Sequence, residues 1–266
     1  MIQRRLFPCS CCVSPVTAGT LRVLGGDPER DGSRIRARLG VVPQDDNLDD
    51  EVTVRENLLL FGRYFGLSRR TTRERAAELL EFAQLTEKAD AQVQSLSGGM
   101  KRRLTIARSM INSPEILILD EPTTGLDPQA RHVLWERLYQ LKRQGVTLIL
   151  TTHYMDEAEQ LCDRLVVMDH GRIVAEGSPG ELITRHVTRE VLEVSFATDR
   201  RIPPDRLDGL ARRVEQLPDR VLLYTEDCEA TLAKVHAEGL APTTSLVRRA
   251  TLEDVFLTLT GRTLVD

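Results

Sequence analysis

The sequence predicts an α/β domain built on a parallel sheet, followed by a small α+β domain. Two continuous apolar runs, at 115–119 and 146–150, flank an amphipathic helical segment at 129–144. This strand–helix–strand order, with strands apolar on both faces, is typical of a parallel sheet covered by helices. Near the C-terminus, short alternating strands and helices replace that pattern. We therefore expect a main domain over 1–186 and a second domain over 187–266.

Composition is that of a globular chain that does not enter the membrane. The 266 residues are 41% hydrophobic and 29% charged, and 36 Lys and Arg against 40 Asp and Glu give a formal net charge of −4. This balance argues against a general nucleic-acid binder, so no nucleic-acid partner is expected. No run approaches the roughly 18 apolar residues that a membrane span needs. Five cysteines, an odd number, favour a reducing compartment.

The N-terminal half predicts two short strands and a helical subdomain. Alternation at 21–24 predicts one strand, and the apolar segment 39–42 predicts a second. Residues 52–112 are mostly helical in pattern. Within them, apolar residues at helical spacing predict amphipathic helices over 73–85 and 99–111.

The C-terminal half predicts a hairpin and then a small mixed domain. The turn-forming residues inside 166–175 predict a hairpin that closes the main domain. The second domain is predicted to contain strands at 191–196 and 221–225, a loop at 202–204, and helices at 229–239 and 252–259.

Four short motifs follow one another along the main domain. Gln44 comes after a strand, 96–101 (Leu-Ser-Gly-Gly-Met-Lys) opens a helix, Asp120 and Glu121 end a strand, and His153 ends another. Each motif has an ordinary structural interpretation on its own. Ser-Gly-Gly before a helix is usually an N-cap and a turn, and an acidic pair after a strand is often only solvated.

Taken together, the ordered motifs carry far more information. With Pro122-Thr123-Thr124-Gly125-Leu126-Asp127 directly after the acidic pair, the set resembles the ATP-binding subunits of ABC transporters, from about residue 13 to residue 177. The resemblance implies a P-loop NTPase-like (ABC ATPase) fold, with ATP and Mg²⁺ as cofactors.

Residue types at these positions suit ATP hydrolysis. Asp120, at the carboxyl end of a parallel strand, can hold Mg²⁺, and the adjacent Glu121 can act as general base toward the attacking water. The helix that opens at Ser97, Gly98 and Gly99 presents unpaired backbone N–H groups and the positive end of its dipole, which suits a γ-phosphate.

Further roles are implied by the resemblance alone. In the family, the Ser97-Gly98-Gly99 segment would contact nucleotide held by the partner subunit of a dimer. Gln44 would sense the metal and the water, His153 would contact the γ-phosphate, and Asp127 would lie at the dimer interface. The subunit would work as a homo- or heterodimer beneath a separate membrane permease, at the cytoplasmic face of the membrane.

The C-terminal segment favours export over import. Residues 248–257, with Leu259, Thr260 and Gly261, resemble the tail of drug-, antibiotic- and nodulation-factor-type exporter ATPases. The same segment also has the pattern of an amphipathic helix packed on a small sheet, and the two interpretations are compatible. The transported substrate is not readable, because specificity in such systems resides in the permease.

One family motif has no counterpart in the sequence. The phosphate-binding loop (Walker A) has the form G-x-x-x-x-G-K-[ST], and none of the four lysines follows a glycine. These lysines are Lys88, Lys101, Lys142 and Lys234. We therefore expect an N-terminally incomplete ATPase domain. Losing three charge-assisted hydrogen bonds would cost at least ~4 kcal/mol, about a thousandfold in affinity, so the chain alone should bind MgATP poorly.

Two explanations of this difference stay open: a misplaced start or frameshift, and a genuinely degenerate subunit. The leading interpretation is the ATPase subunit of an export-type transporter. Its alternative is a non-hydrolysing protomer that donates its Ser97 motif to an intact partner. A soluble repair or translation ATPase of the same superfamily fits less well, because those relatives carry long coiled coils or two tandem ATPase domains.

Overall fold

The computed structural model describes residues 14–16, 18–196, 202–203 and 206–261. The chain divides into two compact units, Met1–His153 and Tyr154–Asp266. The domain boundary that the sequence predicts, between 186 and 187, falls inside the second unit and stays a prediction. In the part of the chain that is described, no helix is long and apolar enough to cross a membrane.

A parallel sheet forms the centre of the first unit, as the apolar runs predict. Strands β1 (Leu39–Val42), β2 (Ile116–Asp120) and β3 (Thr147–Thr151) lie side by side in that order, and both pairings are parallel. The carboxyl ends of the three strands therefore meet at one edge, where Asp120 pairs with Thr151. The α/β fold class is confirmed.

Helices of the first unit begin at well-formed caps. They are α1 (Pro28–Arg36), α2 (Val54–Tyr64), α3 (Arg69–Phe82), α4 (Gly98–Ser109) and α5 (Pro128–Arg143). Each N-cap side chain accepts a hydrogen bond from a backbone N–H of the first turn, which satisfies one otherwise unpaired donor. With two 3₁₀ turns, Thr86–Lys88 and Val93–Ser95, these elements confirm the helical segment predicted at 52–112.

The strand predicted at 21–24 is wrong. Val23 and Gly26 exchange two backbone hydrogen bonds of 3.1 and 2.9 Å, and between them Leu24 and Gly25 have φ of 51° and 77°. The left-handed pair turns the chain back on itself, so the alternation does not extend into a strand. Helix α1 follows at once, capped by Asp27, and was not predicted.

The second unit contains a hairpin, a four-stranded sheet and helices. Its elements are α6 (Met155–Leu161), β4 (Leu165–Asp169), β5 (Arg172–Gly177), α7 (Pro179–His186), β6 (Glu190–Ser195), β7 (Arg213–Gln216), β8 (Val221–Thr225), α8 (Cys228–Ala237), β9 (Thr244–Arg249) and α9 (Leu252–Thr260). Strands β4 and β5 form the predicted antiparallel hairpin. The larger sheet has the order β7-β8-β6-β9, with antiparallel pairing throughout. Of this sheet, β6 and β8 were predicted and the two outer strands were not.

A buried carboxylate organises the end of the second unit. Asp254 is 2% exposed and accepts hydrogen bonds from the Tyr224 hydroxyl (3.0 Å), from Arg248 (2.7 and 3.0 Å) and from the backbone N–H of Thr251 (2.8 Å). Burial raises the pKa of Asp254, but the bonds from Arg248 and Thr251 outweigh it and leave the pKa below its ordinary value. The exporter-like segment 248–257 therefore has a structural role, because Thr251 and Asp254 form the capping box of α9.

Candidate functional site

Three loops at the carboxyl edge of the parallel sheet converge on the side chain of Glu121. Gln44, after β1, donates from Nε2 to Glu121 Oε2 at 3.3 Å, and Thr124 donates from Oγ1 to the same oxygen at 3.1 Å. His153, after β3, places Nδ1 3.4 Å from Glu121 Oε1. The Glu121 side chain is 25% exposed and that of His153 55% exposed. The predicted catalytic residues thus share one accessible site.

Asp120 lies beside this group and is fixed by the neighbouring strand. Its Oδ1 accepts a hydrogen bond of 2.5 Å from Oγ1 of Thr151. The two residues are register partners at the ends of β2 and β3, so the sheet itself sets the contact. The Asp120 carboxylate is thereby held at the same edge as Gln44 and Glu121.

The backbone of Glu121 adopts an uncommon conformation. Its φ is 44°, in the left-handed region, which costs a non-glycine residue roughly 1–2 kcal/mol. Its N–H donates to the carbonyl oxygen of Thr151 at 2.9 Å, which extends the strand pairing by one residue. Strain of this kind persists only where the surrounding structure maintains it, and it clusters at functional sites.

The remaining predicted residues form a second group, at the beginnings of α4 and α5. Ser97 caps α4 by accepting from the N–H of Met100 at 3.3 Å, and Asp127 caps α5 by accepting from the N–H of Ala130 at 2.8 Å. A Cβ on Gly98 would meet no atom within 4 Å, whereas a Cβ on Gly99 would lie 3.1 Å from that of Ala130. Gly99 therefore permits close packing of the helix starts, and Gly98 leaves the first turn of α4 open.

The donor types fit the expected cofactors. Asp120 and Gln44 offer carboxylate and amide oxygens, the hard ligands that Mg²⁺ prefers. Among the described residues, no group of three His, Cys, Asp or Glu side chains could hold a metal ion. At nucleotide sites, Mg²⁺ usually binds one or two protein carboxylates and takes its other ligands from phosphate and water. The open start of α4 fits an anionic phosphate.

Sequence reasoning missed Arg102, which lies beneath the site. Its side chain is 5% exposed and donates to backbone carbonyl oxygens of the loops after β1 and β2. The predicted apolar face of its helix contained Leu104 and Ala107, two and five positions further on. Helix α4 is in fact buried on several sides, so its periodicity gave no sign of a buried arginine.

The prediction of a missing phosphate-binding loop concerns the segment before residue 14. That segment lies outside the described residues, as do Cys9, Cys11 and Cys12.

Comparison with protein families gives two matches. Residues 7–124 match the family described as ABC transporter, and residues 200–261 match the C-terminal domain of the nodulation factor export protein NodI. Two curated relatives are called Nod factor export ATP-binding protein I. The chain is 51% identical to that of Ralstonia nicotianae, over 94% of this chain and 78% of the relative. It is 54% identical to that of a Rhizobium species, over 92% and 80%.

Solved structures agree with the ABC transporter match. One is cbiO1 from Clostridium perfringens, described as part of an ABC transporter complex, with a TM-score of 0.63, 28% identity, and coverage of 69% of this chain and 75% of that one. Another is a dimeric ATP-binding cassette in a post-hydrolysis state with ADP and Pi, with a TM-score of 0.58, 27% identity, and coverage of 66% and 80%. The chain therefore belongs to the ATP-binding subunits of ABC transporters, a family of ATPases, and carries a C-terminal domain of the nodulation-factor-export type.

Proposed function

We propose that this chain hydrolyses MgATP to drive a separate permease, acting at the cytoplasmic face of the membrane in export. The proposed cargo is Nod factor, which the names of its relatives specify. The observation that carries the proposal is the convergence of Gln44, Thr124 and His153 on the carboxylate of Glu121, next to Asp120.

The proposed chemistry follows from this arrangement. A carboxylate oxygen of Glu121 accepts a proton from the attacking water, and the Gln44 amide orients that water. His153 approaches the carboxylate through Nδ1, and its Nε2 would contact the γ-phosphate of bound nucleotide. Mg²⁺, when bound, neutralises charge on the phosphate oxygens, and Asp120 with Gln44 would hold it.

The second group of residues is proposed to act across a dimer. Ser97, Gly98 and Gly99 would present the start of α4 to nucleotide held by a partner subunit, with Asp127 at the interface. The open first turn of α4 supports this role, because Gly98 leaves its backbone N–H groups unshielded by side chains.

MgATP turnover by the chain assembled with its permease tests the proposal. Glu121→Gln retains the size of the side chain but not the base, so we expect turnover to fall by about a hundredfold or more. Glu115→Gln is the matched control, because Glu115 lies directly before β2 and pairs with exposed Arg38. Wild-type turnover in Glu121→Gln, or an equal loss in both variants, would contradict the proposal.

A non-hydrolysing protomer is the second candidate, and one sequence observation favours it. None of the four lysines follows a glycine, so the usual phosphate-binding lysine has no counterpart. This candidate predicts negligible MgATP binding by the chain alone. Addition of an intact partner subunit should then restore one working site that depends on Ser97. Tight MgATP binding by the isolated chain would exclude this candidate.

A further inference from the structure

The guanidinium of Arg102 connects two loops that each carry one proposed catalytic side chain. One loop follows β1 and contains Gln44, and the other follows β2 and contains Glu121. The acceptors of the Arg102 guanidinium include the carbonyl oxygens of Pro43 (2.6 Å), Gln44 (3.1 Å), Asp120 (3.0 Å), Glu121 (3.2 Å) and Pro122 (2.8 Å), and Oδ1 of Asp46 (3.3 Å).

Only a guanidinium can hold this set of acceptors. Arginine presents five N–H donors in a fixed plane, whereas lysine presents three donors from a single point on a flexible chain. The Arg102 side chain is 5% exposed, so it is held by the protein rather than by solvent. Hydrogen bonds from Arg102 therefore fix both loops relative to the plane of its guanidinium.

The same two loops are joined again at their exposed side by their side chains. Gln44 Nε2 lies 3.3 Å from Glu121 Oε2, while the carbonyl oxygens of both residues bind Arg102. A small change in loop separation would therefore change the distance between the amide and the carboxylate. We propose that Arg102 is a positioning residue for hydrolysis, which sets the placement of Gln44 relative to Glu121. This inference rests on the proposed function for the roles of those two side chains.

The loop after β1 has other attachments that do not reach Gln44. Thr105 donates to the Asp46 carboxylate at 3.2 Å, and Arg108 donates to the carbonyl oxygens of Asp46 and Asn47 at 3.0 and 2.8 Å. These contacts hold the far end of the loop on α4. Loss of the Arg102 contacts should accordingly release Gln44 while the rest of the loop stays folded.

The side-chain amide resonance of Gln44 in the full-length chain measures this effect directly. It is assigned by its disappearance in Gln44→Ala. Arg102→Lys retains the charge, and Arg102→Gln retains an NH2 donor without the charge in case a buried ammonium prevents folding. We expect the resonance to shift, and its exchange with water to accelerate several-fold, in whichever variant folds. Arg103→Lys is the matched control, because Arg103 bonds instead to Ala83 and Gln84.

Kinetics with the permease supply a second measurement. We expect Arg102→Lys to lower kcat by about tenfold or more, with little change in KM, since displacing a catalytic group by about 1 Å costs up to a hundredfold. An unchanged Gln44 resonance in the Arg102 variants, or the same shift in Arg103→Lys, would overturn the inference. If the wild-type transporter does not hydrolyse MgATP, the proposed function fails, while the resonance still decides whether Arg102 positions Gln44.

Discussion

Two carboxylates, one in each unit, show how differently the same group can be used. Asp254 in the second unit is 2% exposed and accepts hydrogen bonds of 2.7–3.1 Å from Arg248, Tyr224 and Thr251. Glu121 in the first unit is 25% exposed, and its neighbours Gln44, Thr124 and His153 lie at 3.1–3.4 Å.

The difference lies in what each carboxylate can still do. A buried carboxylate with short bonds to an arginine and a backbone N–H has its charge compensated in place, so it stabilises the fold. A partly exposed carboxylate with longer bonds can exchange a neighbour for water and accept a proton. Asp254 therefore serves folding, whereas Glu121 is the carboxylate that we propose for chemistry, and the two can be tested against each other.

Removing the charge of Asp254 should have the largest effect on stability. We expect Asp254→Asn to cost about 3 kcal/mol in the second unit, because Arg248 loses one of its two carboxylate partners, Glu193 being the other, and a backbone donor loses its charged acceptor. Hydrogen exchange of peptides from β6 and β8 measures this cost. Glu253→Gln, at the exposed neighbouring position, is the control and should leave exchange unchanged.

The same carboxylate predicts a pH dependence. The pKa of Asp254 in the folded chain lies below the ordinary value of 3.8. Its contribution to stability is therefore fully present above that value and is lost as the pH falls below it. Amide protection in the second unit, corrected for the intrinsic pH dependence of exchange, should fall at acid pH more in the wild type than in Asp254→Asn. Equal pH profiles would contradict this account of Asp254.

Removing one neutral partner should have a smaller effect. The Tyr224 hydroxyl donates to Asp254, and burial raises the pKa of Tyr224, so the hydroxyl stays neutral at physiological pH. We expect Tyr224→Phe to cost about 1 kcal/mol, the usual value for a single hydrogen bond. A cost as large as that of Asp254→Asn would mean that the hydroxyl, and not Arg248, maintains the network.

Glu121→Gln should have the smallest effect on stability. Its bonds are long and the amide can retain some of them, so the free energy of unfolding of the first unit should change by less than about 1 kcal/mol. The chain contains a single tryptophan, Trp135 in α5, whose fluorescence during urea unfolding reports on this unit. A loss near 3 kcal/mol would place Glu121 among the structural carboxylates.

The sequence predicted the elements whose apolar residues follow a regular pattern. Strands β2 and β3 and helix α5 have continuous apolar or amphipathic patterns, and the motifs after the two strands contain Glu121 and His153, which the structure brings together at one edge. Helix α1 was missed because its buried residues are only Pro28, Gly32 and Ile35, which do not make an amphipathic pattern. Strand β9 was missed because its sequence, Thr-Ser-Leu-Val-Arg-Arg, does not alternate apolar and polar residues, and its Leu246 and Val247 are 59% and 55% exposed.

Arg102 was missed for a different reason. Its acceptors are mostly backbone carbonyl oxygens, which every residue possesses, and no pattern of side chains marks them. Contacts made by the backbone appear only when the fold is known. The contact between the side chains of Arg248 and Asp254 was missed because it joins α9 to the end of β9, a strand that was not predicted.

The nucleotide retained by the Glu121→Gln transporter tests the central claim most directly. The chain assembled with its permease is incubated with MgATP, freed of unbound nucleotide, and its bound nucleotide is identified by chromatography. The account predicts intact ATP in Glu121→Gln, and ADP in the wild type and in Glu115→Gln. ADP in Glu121→Gln at the wild-type level would show that another group accepts the proton from water.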